Sequence, residues 1–134
     1  MEQEKLEQLK MFFSNDRFAM KTVGIEIEDI DDFYAKCSLK VDDRHKNANE
    51  QVMGGAIFTL ADFTFAVASN HNGEIVVTSN SSITYLSPLK KGNKLISESR
   101  LIKNGKTAAT YEISIKDEFE NPIAVVVTTG LKLK

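Results

Sequence analysis

The run Gly54–Asn70, GGAIFTLADFTFAVASN, constrains this chain more than any other stretch. Ile57, Phe58, Leu60, Phe63, Phe65 and Val67 are spread through it with small residues between them, so a helix drawn through the run has no polar face. Such a helix is stable only when covered on every side. Asp62 is the one ionisable side chain in the run. An unpaired carboxylate in a packed interior costs several kcal/mol or gives up its charge, so Asp62 requires a partner or a task.

The rest of the chain supplies the cover. Leu6, Leu9, Phe12 and Phe13 recur at helical spacing among Glu, Gln and Lys, which predicts a short amphipathic helix over residues 2–14, broken by Ser14, Asn15 and Asp16. Val23, Ile25 and Ile27 alternate with Glu26 and Glu28, predicting a half-buried strand from Thr22 to Asp29. Phe33 to Val41 repeats the habit after a turn at Asp31 and Asp32, so the two are expected to pair as a hairpin. Asp42 to Met53 is polar and aperiodic, a loop into the buried helix, whose start is marked by Gly54 and Gly55.

Four β-rich runs follow: Ile75 to Leu86, Asn93 to Lys103, Lys106 to Lys116 and Pro122 to Lys132. Pro88 to Gly92, the Asn104–Gly105 turn and Asp117 to Asn121 separate them. Helix, two strands, one buried helix and four strands predict a single α+β domain over residues 1–134. A curved antiparallel sheet wraps the central helix, the hotdog arrangement, and leaves its other face and edges to solvent or a second subunit.

With 134 residues the chain can bury a core without metals or disulfides. A formal charge of -2 excludes a general attraction to nucleic acid or anionic membrane. The charge is unevenly placed, with nine acids and four bases in residues 1–32 and six bases against Glu98 alone in Pro88 to Lys106. That basic stretch can meet a phosphate-bearing ligand or simply form a solvated face. Cys37 is the single cysteine, which excludes an intrachain disulfide and fits a reducing compartment. The N-terminus is acidic and lacks the order of a signal peptide, and the Gly54–Asn70 run is too short for a membrane span, so a cytoplasmic protein is expected.

The stretch HKNANEQVMGGAIFTLAD, His45 to Asp62, resembles the PaaI-like branch of the hotdog thioesterases, the acyl-coenzyme A hydrolases named for phenylacetate degradation. That branch carries H-x-N-x-x-G-x-x-H-G-G followed after six residues by Asp. His45, Asn47, Gly54, Gly55, Leu60, Ala61 and Asp62 match in spacing, while Glu50 stands where the family has Gly and Met53 where it has His. The later ITYLSP (Ile83 to Pro88) and NGK (Asn104 to Lys106) also look familial.

The resemblance implies hydrolysis of acyl-coenzyme A to a free acid and coenzyme A. Asp62 would act as general base or nucleophile, and the Gly54 N–H with the Asn47 side chain would polarise the thioester carbonyl. Thr78, seven residues before Tyr85, would orient water. No metal or redox cofactor is implied, and coenzyme A enters only as part of the substrate. In the family the His before the glycine pair stands near the thioester sulfur; Met53 offers no comparable proton. A thiolate leaves with little help, so Met53 is expected to slow turnover rather than abolish it, and Glu50 to alter the loop or the charge near the acyl mouth.

The chemistry of the residues agrees. Thioester hydrolysis builds up an oxyanion, which free N–H groups at a helix N-terminus stabilise, and glycine lets a carbonyl approach closely. Desolvation raises the proton affinity of a carboxylate in an apolar wall, which suits a base. Eight residues separate Gly54 from Asp62, roughly 12 Å along one helix. Both serve one carbon only if they come from different subunits, which predicts sites at a two-fold interface of a homodimer or dimer of dimers.

The remaining candidates are weaker. Met53, Gly55, His45 and Phe58 are expected near the substrate, with His45 a loop-ordering or surface residue and Phe58 a core residue first. Lys90, Lys91 and Lys103 are candidates for the coenzyme A phosphates. His71 reads as part of a helix-ending turn. Two separated histidines and one cysteine give no metal-ligand spacing. A ligand-binding module without turnover is the first alternative. A hydratase ranks below it, since Gly54 to Asn70 holds no His.

Overall fold

The structure, a computed structural model, describes residues 3–133. The expected helix start at residue 2 and the two chain ends lie outside the described residues. Two helices, α1 (Gln3–Phe13) and α2 (Gly54–Asn70), accompany six strands: β1 (Glu26–Asp31), β2 (Tyr34–Lys40), β3 (Ile75–Tyr85), β4 (Lys94–Asn104), β5 (Ala108–Asp117) and β6 (Pro122–Leu133). The strands form one antiparallel sheet in the order β1-β2-β4-β5-β6-β3. The sheet curves around α2, the hotdog arrangement of the α+β class.

Small side chains let the helix approach the sheet. Ala35 and Cys37 of β2 and Ser97 and Ser99 of β4 are buried under α2, where larger residues would hold it off. Leu60, Phe65 and Val67 sit at 0–1% exposure, and each such side chain stabilises the fold by about 1.5–3 kcal/mol through burial alone. Phe65 meets Tyr111 edge-on with ring centroids 5.5 Å apart. On the far side, Phe13 of α1 packs edge-on against Phe63 at 6.3 Å, so α1 covers the part of α2 that the sheet leaves bare. Burial pushes the Cys37 thiol up to about 12, as expected of an inert core cysteine.

One expected element is different. The strand predicted from Thr22 begins only at Glu26, because Phe18–Val23 forms a wide π-helical turn. Gly24 ends that turn at a φ of +88°, and the N–H groups of Gly24 and Ile25 both donate to the Ala19 carbonyl at 3.0 and 2.9 Å. Alternation in the sequence ran on through Val23 because Val23 is buried in either conformation. The turn brings Phe18 and Thr22 beside α2.

β3 is an edge strand eleven residues long, and Ile75, Val77 and Tyr85 on it are exposed. Between Thr78 and Asn80 its register against β6 slips by one residue, a β-bulge at Ser79. Gly130, the partner of Thr78 on β6, leaves space taken by Val76 and Phe65; a Cβ there would lie 2.5 and 2.6 Å from them. No helix among the described residues is long and apolar enough to cross a membrane.

Candidate active site

The N-terminus of α2 is built without a side-chain cap. Met53 occupies the capping position, and a thioether accepts no bond from the first turn. Among the described residues the N–H groups of Gly54 and Gly55 donate to nothing, while those of Ala56 and Ile57 reach the Met53 carbonyl at 2.9 and 3.3 Å. Two adjacent donors therefore point out of the helix start, on the positive end of its dipole.

The preceding loop is folded back to deliver this end. His45 is 4% exposed and bonded at both ring nitrogens: Nδ1 accepts the Asp42 N–H at 3.0 Å, and Nε2–H donates to the Val23 carbonyl at 2.7 Å. That pairing fixes the neutral Nε2–H tautomer and makes His45 a buried loop-ordering residue rather than a surface one. Its carbonyl accepts the Met53 N–H at 2.8 Å, which places Met53 at the helix start. Asn47 lies in the exposed turn of this loop, its Oδ1 accepting the N–H groups of Asn49 and Gln51 at 2.9 and 3.2 Å. Among the described residues the side-chain NH₂ of Asn47 has no hydrogen-bond partner, while its oxygen is held. Glu50 sits at a φ of +62°, the left-handed conformation in which glycine is strain-free, so the loop keeps a glycine-type backbone with a glutamate in it.

Asp62 lies two turns further along α2, half-buried at the rim of a groove of about 290 Å³. Thr78 Oγ1 donates to its Oδ1 at 3.3 Å. Burial pushes the Asp62 carboxyl above the usual carboxylate range; the Thr78 bond opposes the shift and the nearby Asp16 adds to it. Thr78 faces α2 together with Val76, and the bulge at Ser79 then restores the same facing to Ser81, Ile83 and Tyr85. In a regular strand two residues seven apart point to opposite faces, and the bulge absorbs the odd residue. With it, Tyr85 Oη donates to the Gly54 carbonyl at 2.9 Å, so one edge strand holds both the helix start and Asp62.

Three grooves meet this framework. One of about 530 Å³ runs under the π-helical turn and is lined by Phe18, Val23, His45, Met53, Gly55 and Thr59. It adjoins the Asp62 groove at Phe18 and Thr59. On the other side of the helix start, a groove lined by Gly54, Tyr85, Leu86, Ser87 and Pro88 continues past Leu86 to Pro88 into one flanked by Lys90 and Lys91. Lys103 stands at the opposite end of the sheet, paired with Thr110, and is not gathered with the other two lysines. Phe58 packs against the core, outside the lining of these grooves. Among the described residues no three His, Cys, Asp or Glu side chains gather as metal ligands.

Four groups were missed by sequence reasoning: Asp16, Phe18, Thr59 and the Tyr85 hydroxyl. The spacing of Tyr85 from Thr78 held a trace of the last, since seven residues suit one sheet face only if a bulge intervenes.

The sequence pattern of the thioesterase superfamily matches residues 50–123. A putative esterase of Archaeoglobus fulgidus is 33% identical over 87% of this chain and 75% of its own length. The acyl-coenzyme A thioesterase PaaI of Escherichia coli is 31% identical over 84% of this chain and 80% of its own. The solved structure of E. coli PaaI superposes with a TM-score of 0.88 at 26% identity, covering 98% of this chain and 95% of that one. A Streptococcus mutans protein solved with acetyl-CoA bound gives a TM-score of 0.77 at 25% identity, covering 81% and 88%.

Proposed function

Because the chain belongs to the thioesterase superfamily, we propose that it hydrolyses an acyl-coenzyme A thioester to the free acid and coenzyme A, with Asp62 as the group that activates water. The observation that carries this reading is the pairing of Asp62 with Thr78 at a groove rim: a lone carboxylate on an apolar helix, with raised proton affinity and a hydroxyl 3.3 Å away. A base whose proton affinity is raised towards the working pH takes a proton from water more effectively.

Water held by Asp62 and Thr78 attacks the thioester carbon and passes its proton to the carboxylate. The oxyanion that forms is met by the unused N–H groups of Gly54 and Gly55, and the resemblance gives the Asn47 amide a share in the same task. Collapse expels the coenzyme A thiolate, whose thiol has a pKa of about 8.5 and needs little assistance. The groove from Gly54 along Leu86 to Pro88 suits the pantetheine arm and ends at Lys90 and Lys91, which are placed to meet phosphates. The S. mutans relative solved with acetyl-CoA supports a coenzyme A ester as the ligand. No step calls on a metal or redox cofactor.

Gly54 and Asp62 lie on one straight helix, roughly 12 Å apart, so each site takes its oxyanion donors from one chain and its base from another. The long unpaired edge of β3, with exposed Ile75 and Val77, supports a second copy pairing there. The active unit is then a homodimer, alone or doubled, at work in the cytoplasm.

Met53 favours a second reading. It lines the groove where the family carries a proton-bearing His, which suits a module that binds acyl-coenzyme A without turnover. Following free thiol with aryl, short and medium acyl-coenzyme A esters separates the two. Release that is lost in Asp62→Asn upholds hydrolysis; saturable binding without release sinks it in favour of the module.

A further inference from the structure

We propose that Tyr85 is a positioning residue for the oxyanion donors: its hydroxyl bonds the carbonyl of Gly54, and that carbonyl belongs to the same peptide unit as the N–H of Gly55. The proposal rests on the reading of the Gly54 and Gly55 N–H groups as the donors that meet the oxyanion.

A peptide unit is planar, so a bond that fixes the Gly54 carbonyl also fixes the direction of the Gly55 N–H. Tyr85 Oη donates to that carbonyl at 2.9 Å. A carbonyl oxygen has two lone pairs, so the helix bond of the first turn and the Tyr85 bond can share it. Accepting the second bond draws electron density towards the oxygen and leaves the N–H at the other end of the unit a stronger donor, as linked hydrogen bonds reinforce one another. Among the described residues the Gly55 N–H donates to nothing, and no side chain caps this end of α2. Tyr85 thus anchors the first turn through its carbonyl side, where a capping residue would have occupied the N–H groups themselves.

Gly54 is shaped to the same contact. It opens α2 without a left-handed φ, so the backbone conformation does not call for glycine. Space does. A Cβ on Gly54 would lie 2.9 Å from Tyr85 Oη and 3.1 Å from its Cζ, and would push the hydroxyl off the carbonyl. From the sheet side, Tyr85 is the last residue of β3, and the bulge at Ser79 lets it share a face with Thr78. Strand and helix are therefore both adjusted to seat one phenol against one peptide unit. Tyr85 also borders the groove assigned to the pantetheine arm, so a direct contact with substrate is the competing role that the experiment must separate.

The test is Tyr85→Phe, which keeps the ring and removes only the hydroxyl, assayed by thiol release on the acyl-coenzyme A ester that the wild type cleaves best. Amide signals of Gly54 and Gly55 are followed by NMR in the free protein. The expected result is a kcat about fivefold lower at unchanged KM, because the lost interaction grows only as the oxyanion forms. In the same variant the Gly55 amide proton moves upfield, the mark of a weaker donor. The Gly54 amide, which belongs to the preceding peptide unit, moves much less. An unmoved Gly55 amide, an unchanged kcat, or a raised KM with kcat held overturns the proposal. A wild type that cleaves no ester sinks the hydrolase reading instead, and the Gly55 amide then upholds or overturns the coupling to Tyr85 by itself.

Discussion

Two inactive variants of this protein should regain activity when mixed. The unused N–H groups of Gly54 and Gly55 point off the start of α2, whereas Asp62 lies roughly 12 Å back along the helix. A chain of contacts from carboxylate to water to thioester carbonyl to N–H spans roughly 9 Å even when extended, and it would have to bend around the helix end. On the proposed mechanism one chain therefore cannot complete a site. Asp62→Asn removes the base, and Gly54→Ala places a Cβ where the carbonyl must approach, 2.9 Å from Tyr85 Oη. Each alone should fall by about a hundredfold or more, while Ala preserves the helix. Equal mixing and subunit exchange make about half of the dimers hybrid, and each hybrid holds one intact site, so activity should return to about a quarter of wild type. Differently tagged chains, unfolded together, refolded and purified through both tags, would be assayed by thiol release. Doubly tagged hybrids no more active than their parents would refute the shared site.

Asp62 should also cost stability. Its carboxyl is raised, so the folded state binds that proton more tightly than the unfolded chain does. The ionised form then weakens the fold at every pH above the folded value, and the penalty vanishes below the unfolded value of about 3.9. Asp62→Asn is expected to raise Tm at neutral pH by about 2 °C, a modest figure because solvent reaches one side, and to lose that advantage on acidification; calorimetry across this range checks it, and a variant less stable at pH 7 would contradict it. Met53→His should raise kcat severalfold by returning a proton donor to the groove, and stopped-flow thiol release that shows no gain would mean another group serves the leaving sulfur. At Glu50, held at a φ of +62°, replacement by Gly should stabilise by about 0.5 kcal/mol and replacement by Val should destabilise by about 1 kcal/mol, as read from urea midpoints.

The fold was legible because its strongest constraint is local. An apolar run with no polar face can only be a covered helix, and the alternating runs after it can only be the cover. What the sequence hid was the segment from Phe18 to Val23. Val23 is buried whether it begins a strand or ends a π-helical turn, so alternation alone carries no information about which forms. The choice is settled by Gly24, whose left-handed φ lets the turn close on Ala19. That choice has consequences for the site, since a strand starting at Thr22 would have drawn Phe18 and Asp16 away from α2.

The candidate site was legible where its residues are marked by type and spacing, and illegible where their arrangement is carried by register. Asp62 is visible as the only charge on its helix, and Gly54 as the start of that helix. Thr78 could be proposed from its distance to Tyr85, yet in a regular strand those two residues look away from each other. The bulge at Ser79 makes both face α2, so Thr78 reaches Asp62 while Tyr85 reaches Gly54. An edge strand is where a bulge is cheapest, because only one neighbour loses its ladder bonds. The same edge leaves β3 free to meet a second chain. The bulge that lets Thr78 and Tyr85 share a face thus lies on the strand whose free edge, in the proposed dimer, would bring in the second chain.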